Sequence, residues 1–165
     1  MITKEEGKNQ LKHLVKRFSD NLEQYKQPGY KEHHVRSEFI DGFFKSFGWD
    51  VDNSEGNSEK YKEVIGEDRV RIGGQTKAPD YAFRLGGRRV FFVEAKKPSV
   101  NIKGQSEPSF QLKRYAWNSK IPISILTDFE EFSVYDCSKK PDLKEKAESG
   151  RLEYYNFEEY VENFD

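Results

Sequence analysis

The sequence predicts a mixed α/β fold, and three observations lead there. Two stretches with helical apolar spacing come first, short strand-like runs broken by glycine pairs follow, and one more helix separates these from a last pair of strands. At 165 residues and 19.4 kDa the length suits one domain that can bury a core. Aromatic residues, 15% of the chain, supply material for it.

Residues 3–26 read as an amphipathic helix whose apolar face holds Leu11, Leu14, Val15, Phe18, Leu22 and Tyr25. Gln27-Pro28-Gly29 stops it. A second helix over 31–47 carries Val35, Phe39, Ile40, Phe43, Phe44 and Phe47, and Gly48 caps its C-terminus. Trp49-Asp50-Val51 starts an extended segment, and the polar residues 52–60 form a loop. Strands are expected at 61–65, 69–72, 80–85 and 89–96, with turns at Gly73-Gly74 and Gly86-Gly87. Val90-Phe91-Phe92-Val93 is continuously apolar, as a central strand covered on both faces must be. After a polar loop at 97–107, Pro108 suits the first turn of a helix that runs to Asn118. Strands at 121–126 and 132–135 follow, and a short helix is expected near 157–164. No repeat or low-complexity tract interrupts this order, so the central sheet should be flanked by helices.

Composition narrows the functional classes. The chain is 35% charged, yet its formal net charge is only -1, so the surface as a whole is not basic. A local patch is still enough to neutralise phosphates. The single cysteine, Cys137, rules out an internal disulfide framework and fits a reducing cytoplasm. No apolar run approaches the roughly 20 residues that span a bilayer, and no apolar leader opens the chain. The expected location is cytoplasmic, away from any membrane.

The chemistry concentrates in Pro79-Asp80, then 13 residues, then Glu94-Ala95-Lys96. If Gly86-Gly87-Arg88 forms a three-residue loop, Leu85 pairs with Arg89 and Asp80 lies opposite Glu94. A two-residue turn would break that alignment unless a bulge restores it. Directly opposed residues point to one face with β-carbons roughly 5 Å apart. Two carboxylates that close repel, and a hard divalent cation is the natural compensation. Asp80, Glu94 and the carbonyl of Ala95 are therefore expected to hold Mg²⁺, with Mn²⁺ as a substitute. Lys96 shares the face of Glu94 and would orient an attacking water and hold developing negative charge. The bland alternative has Asp80 capping a turn while Glu94 and Lys96 form a strand-end ion pair.

These residues resemble the signature of the PD-(D/E)XK nucleases, the restriction-endonuclease-like fold. The flanking segments Glu32–Asp41, Phe47–Val51, Ala78–Arg84, Phe92–Val100, Gln111–Trp117 and Leu126–Glu130 resemble the N-terminal cleavage domain of type IIG restriction-modification enzymes. The nuclease domain at the N-terminus of the type I restriction R subunit is also similar. The resemblance covers roughly residues 30–137 and is carried by the segments in order, since the short motif alone is weak. It implies a Mg²⁺-dependent endodeoxyribonuclease acting on double-stranded DNA. It also implies methyltransferase and target-recognition domains on the same polypeptide, which this chain lacks. The expected organisation is one nuclease domain over 1–165: an N-terminal helix at 1–27, a catalytic core at 28–137 and an extension at 138–165, as part of a longer protein. Cutting both strands needs two active sites, so a homodimer is plausible. The rival readings are a catalytically silent DNA-binding module of the same fold and a free-standing DNA-repair or RNA nuclease.

The resemblance points to supporting residues as well. Such nucleases often carry an extra acidic residue on the first core helix, and Glu32 and Glu38 compete for that role. On a helical wheel Glu32 falls on the stripe of Phe39 and Phe43 while Glu38 lies outside it. A core-facing carboxylate needs a partner or a metal. Glu32 is favoured, paired with Arg36 one turn on; the alternative makes both surface charges. Gln111 and Tyr115, four apart on one helix face, match a Gln-x-x-x-Tyr pair that related nucleases keep beside the active site. Here too a core tyrosine with a rim glutamine is the alternative. Lys97, Lys113 and Arg114 are the candidate phosphate contacts, with solvated charge as the default for each. Adjacent His33 and His34 diverge by about 100° on a helix and so read as surface residues. Cys137 reads as a small buried residue.

Overall fold

Thr3 and Glu6 form a capping box that starts helix α1, Lys4–Asp20, in a computed structural model that describes residues 1–165. The helix expected over 3–26 breaks at Asn21, and a single turn, α2 (Leu22–Tyr25), follows. The second expected helix is also not uniform. It runs as α3 (Glu32–Val35), a π turn (Arg36–Ile40) and α4 (Asp41–Ser46). In the π turn the Asp41 N–H donates to the Arg36 carbonyl, five residues back. The Arg17 guanidinium takes up the Glu38 carbonyl in this turn and stacks on the Phe39 ring at 4.5 Å. Gly48 ends the helix with φ +91°, the left-handed cap read from the sequence.

The sheet has six strands in the order β1-β4-β5-β6-β7-β8. These are β1 (Val64–Gly66), β4 (Tyr81–Leu85), β5 (Arg88–Ala95), β6 (Ile123–Thr127), β7 (Glu131–Asp136) and β8 (Arg151–Asn156). Only β5 and β6 pair in parallel, with α5 (Ser106–Asn118) as the crossover between them. A separate two-stranded hairpin joins β2 (Val70–Ile72) to β3 (Gln75–Lys77). Two elements were not anticipated. β3 is polar throughout, and β8 lies in the charged C-terminal region, where only a helix was expected. That helix reduces to one 3₁₀ turn, Phe157–Glu159. Strand pairing, not apolar pattern, creates both strands.

Each face of the sheet has its own apolar layer. On one side Leu11, Phe18, Val35, Phe39, Phe43 and Phe44 pack on Tyr81, Phe83, Val93, Ala95 and Ile125. On the other Leu112, Tyr115 and Ala116 of α5 pack with Val70 and Ile72 on Ala82, Phe92 and Leu126. Within the apolar run of β5, Phe92 faces the α5 layer while Val90, Phe91 and Val93 face the helical layer, so the strand is covered on both sides. The result is the mixed α/β, restriction-endonuclease-like architecture predicted, with helices on both faces of a mixed sheet. No helix is long and apolar enough to cross a membrane. Cys137 is buried, and its thiol pKa is pushed up to about 12 by that burial.

The α1–α4 contact depends on a missing side chain. A β-carbon on Gly7 would stand 2.0 Å from the Ser46 carbonyl oxygen. Alanine favours a helix over glycine by about 1 kcal/mol, but the clash outweighs this. Gly7→Ala is expected to lower stability by about 1–3 kcal/mol; a urea midpoint that holds or rises would remove this contact from the account.

Candidate active site

The register of β4 on β5 decides whether the two carboxylates meet. The Gly86-Gly87 turn has two residues, not three, because Leu85 pairs with Arg88. Both glycines have positive φ, +57° and +80°, as a type I′ turn requires. Left alone, this turn would set Asp80 opposite the wrong residue. A bulge intervenes: Arg84 pairs with Arg89 but Phe83 pairs with Phe91, so Val90 is the extra residue. Beyond it Tyr81 faces Val93, and the next step brings Asp80 level with Glu94.

There the backbone ladder gives way to side chains. The Asp80 N–H donates to Glu94 Oε2 at 3.4 Å, and the Ala95 N–H donates to Asp80 Oδ2 at 2.7 Å. The two carboxylates thus lock each other's strand ends. Both sit on the α5 face, in step with Ala82 and Phe92 two residues further along their strands. Glu94 is 5% exposed. Desolvation first, and then the Asp80 charge, lifts its pKa to about 8. Asp80 is lifted too, mainly by burial.

Lys96 completes the group. Its Nζ lies 4.0 Å from Glu94 Oε1 and donates to Gln111 Oε1 at 3.3 Å. The Gln111 amide in turn donates to the Tyr115 hydroxyl at 3.0 Å. The expected pair on α5 is therefore beside the carboxylates, with the glutamine carbonyl turned to the lysine. Glu32 is half-buried at the start of α3, close enough for the charges of Lys96 and Asp80 to act on its carboxyl; desolvation dominates and raises its pKa. Glu38 is exposed and accepts a hydrogen bond from Tyr30. Of the two competing acids, Glu32 is the one near the site.

Arg36 does not pair with Glu32. Its guanidinium reaches Asp80 instead, with Nη1 3.4 Å from Oδ1 and Nη2 3.3 Å from the backbone oxygen. It also stacks on the Tyr81 ring, and the Tyr81 hydroxyl is anchored on Asp41 at 2.6 Å. Sequence reasoning missed this contact because helical spacing suggested an i,i+4 partner, whereas the π turn re-aims the side chain. Lys113 is a second correction. Expected at a phosphate, it is 3% exposed, and its ammonium is taken up by Glu145 and the Ser149 carbonyl. Arg114 is exposed and Lys97 half-buried, so both remain available to a ligand. His33 and His34 are exposed.

The donor set suits a hard divalent cation. Desolvation and mutual repulsion disfavour the charged forms of the two converging carboxylates more than Lys96 and Arg36 favour them, and a bound cation would reverse that balance. No cluster of three or more His, Cys, Asp or Glu side chains gathers here. Further ligands would be backbone or water oxygens, which Mg²⁺ accepts readily.

Residues 63–143 match the family described as the N terminus of the type I restriction enzyme R protein. Over 160 residues the chain is 39% identical to the type II restriction enzyme and methyltransferase RM.Eco57I of Escherichia coli. That alignment takes in 96% of this chain but only 16% of the relative. No solved structure matches. The resemblance to restriction enzymes of type I and type II that was read from the sequence is borne out.

Two expectations follow. Lys113→Ala leaves Glu145 without its partner and should cost about 2–4 kcal/mol in chemical denaturation; unchanged stability would return this lysine to the surface contacts. The Glu94 carboxyl, raised from 4.5 to about 8, keeps its proton in the folded chain over a range where the unfolded chain has lost it. Its contribution is complete below about pH 4.5 and is lost as pH rises through about 8. The melting temperature of chelator-treated protein should therefore fall across that window, and Glu94→Gln should flatten the fall. Equal slopes in both proteins would refute it.

Proposed function

We propose that this chain, related to restriction enzymes, is the metal-dependent endodeoxyribonuclease domain of a restriction-modification enzyme. The observation that carries the reading is the convergence of Asp80, Glu94 and Lys96 on one face at the sheet end, with Gln111 holding the lysine. Asp80, Glu94 and the Ala95 carbonyl would hold Mg²⁺, or Mn²⁺ in its place. When bound, such an ion lowers the pKa of water and neutralises charge on a phosphate.

The chain's own residues do the rest. Asp80 and Glu94 are oriented before any ligand arrives, because each accepts a backbone N–H from the other strand end. Lys96, kept from folding back by Gln111, orients the attacking water and faces the charge that grows on the phosphate. Burial of the pair limits access of bulk water and strengthens each of these interactions. Glu32 adds a third negative charge at the rim. Lys97 and Arg114 contact neighbouring phosphates.

The relative's printed name and the small share of it that the chain spans support further parts of the reading. We place the catalytic core at 28–137 within a nuclease unit that spans 1–165. Methyltransferase and target-recognition domains on one polypeptide would supply the specificity, and pairing of two copies would cut both strands. The enzyme would work on double-stranded DNA in the cytoplasm.

The test is nicking of supercoiled plasmid with Mg²⁺ or Mn²⁺. Lys96→Ala and Glu94→Ala should each slow it at least about 100-fold, and Glu94→Ala should also weaken Mn²⁺ binding measured calorimetrically. Activity that survives both substitutions would sink this site. No nicking by the unmodified chain, with Mn²⁺ binding still lost in Glu94→Ala, would mean that cleavage awaits the recognition domain.

A further inference from the structure

The chain leaves the catalytic face at Glu67 and returns to it at Asp80. The Glu67 N–H donates to the Asp80 carbonyl at 3.0 Å, so both ends of this excursion are stapled at one catalytic residue. Between them lies the β2–β3 hairpin, which joins no strand of the main sheet. Val70 and Ile72 hold it down in the apolar layer that contains Ala82, Phe92, Leu112 and Tyr115. Tyr115 is the residue whose hydroxyl receives the Gln111 amide. The hairpin is therefore fastened beside the site, on the same face of the sheet as Asp80 and Glu94.

Its outer surface is cationic. Arg71 lies opposite Thr76 in the register, and both are exposed, as the alternation with buried Val70 and Ile72 demands. Arg69, two residues before Arg71, is exposed too, and Lys77, opposite Val70 in the register, is exposed at the end of the hairpin. None of the three cations has a carboxylate partner, whereas neighbouring Arg84 and Arg89 are both engaged by Asp68. Residues 69–93 hold six cations and a single carboxylate, Asp80, in a chain with 28 cations against 29 acids. Such charge is concentrated far beyond the chain average, in the segment that leads directly into Asp80. Lys77 is three residues from Asp80, within about 11 Å along an extended chain.

We propose that the β2–β3 hairpin is a DNA-binding ribbon that holds duplex phosphates next to the scissile one through Arg69, Arg71 and Lys77. This rests on the nuclease reading above. The contacts are to backbone phosphates, so they add affinity and position without sequence preference. A two-stranded ribbon also has the width that a major groove admits.

Binding of a labelled duplex of about 20 base pairs, followed by fluorescence anisotropy with chelator present, separates the two ideas. Removing three phosphate contacts, Arg69→Ala, Arg71→Ala and Lys77→Ala together, should weaken binding at least about tenfold and reduce the salt slope by about 3. Arg71→Lys should keep the slope that Arg71→Glu loses. Lys139→Ala with Lys140→Ala removes exposed charge elsewhere and should change neither quantity. Matching thermal melts would exclude misfolding of the triple variant. Duplex binding that is unchanged in the triple variant overturns the ribbon, as does binding lost equally in the Lys139/Lys140 control. Metal-dependent nicking, tested separately with Glu94→Ala, decides the nuclease reading whatever the hairpin does.

Discussion

Two carboxylates, Glu94 buried and Asp80 half-buried, held against their own repulsion are the constraint on which the rest of this structure depends. Asp80 and Glu94 gain from each other only the backbone N–H groups at the ends of β4 and β5. Everything around them limits the cost. Arg36 leans on Asp80 from the helical layer, Lys96 stands over Glu94, and Gln111 keeps Lys96 there. Burial nevertheless raises both carboxyls. Such a pair costs stability, which the rest of the fold supplies.

That stability comes from two apolar layers of different character. The helical side is built on aromatic edges and faces, with Phe18 within 5.4 Å of Tyr25, Phe39, Phe129 and Phe157. Phe129 enters this layer from the β6–β7 turn and adopts φ +70° to do so. Asp128 beside it is fully buried; one carboxylate oxygen accepts the Glu131 N–H and the other has no partner. Burial raises its pKa well above the usual range, so it is held protonated more readily than an exposed aspartate. The α5 side is smaller and carries the functional helix and the hairpin. The site lies where that smaller layer ends, so α5 can present Gln111 without leaving its packing.

Two irregularities tune the geometry. The bulge at Val90 corrects the register that a two-residue turn alone would have left wrong. The π turn at Arg36–Ile40 inserts an extra residue into the helix and sends Arg36 to Asp80. Both are departures from regular structure placed close to the candidate site, as such departures often are at functional sites. Each re-aims one functional side chain and leaves the apolar faces on either side in step.

The sequence by itself determined the layer order, the central strand, and the faces shared by Glu94 with Lys96 on one strand and by Gln111 with Tyr115 on one helix. These follow from local rules: side-chain period, turn residues and spacing along one strand or helix. Only tertiary structure decided the partners of Arg36 and Lys113, the bulge at Val90 that brings Asp80 level with Glu94, and the strand status of 75–77 and 151–156. Lys113 looked like any exposed lysine until Glu145 and Ser149, more than 30 residues away, closed over it. β8 has no apolar alternation to reveal it and exists because β7 offers it an unpaired edge. The physical reason is common to all of these: charge and hydrogen-bonding partners distant in sequence are chosen by packing, and no local pattern encodes which of several charges packing will enclose.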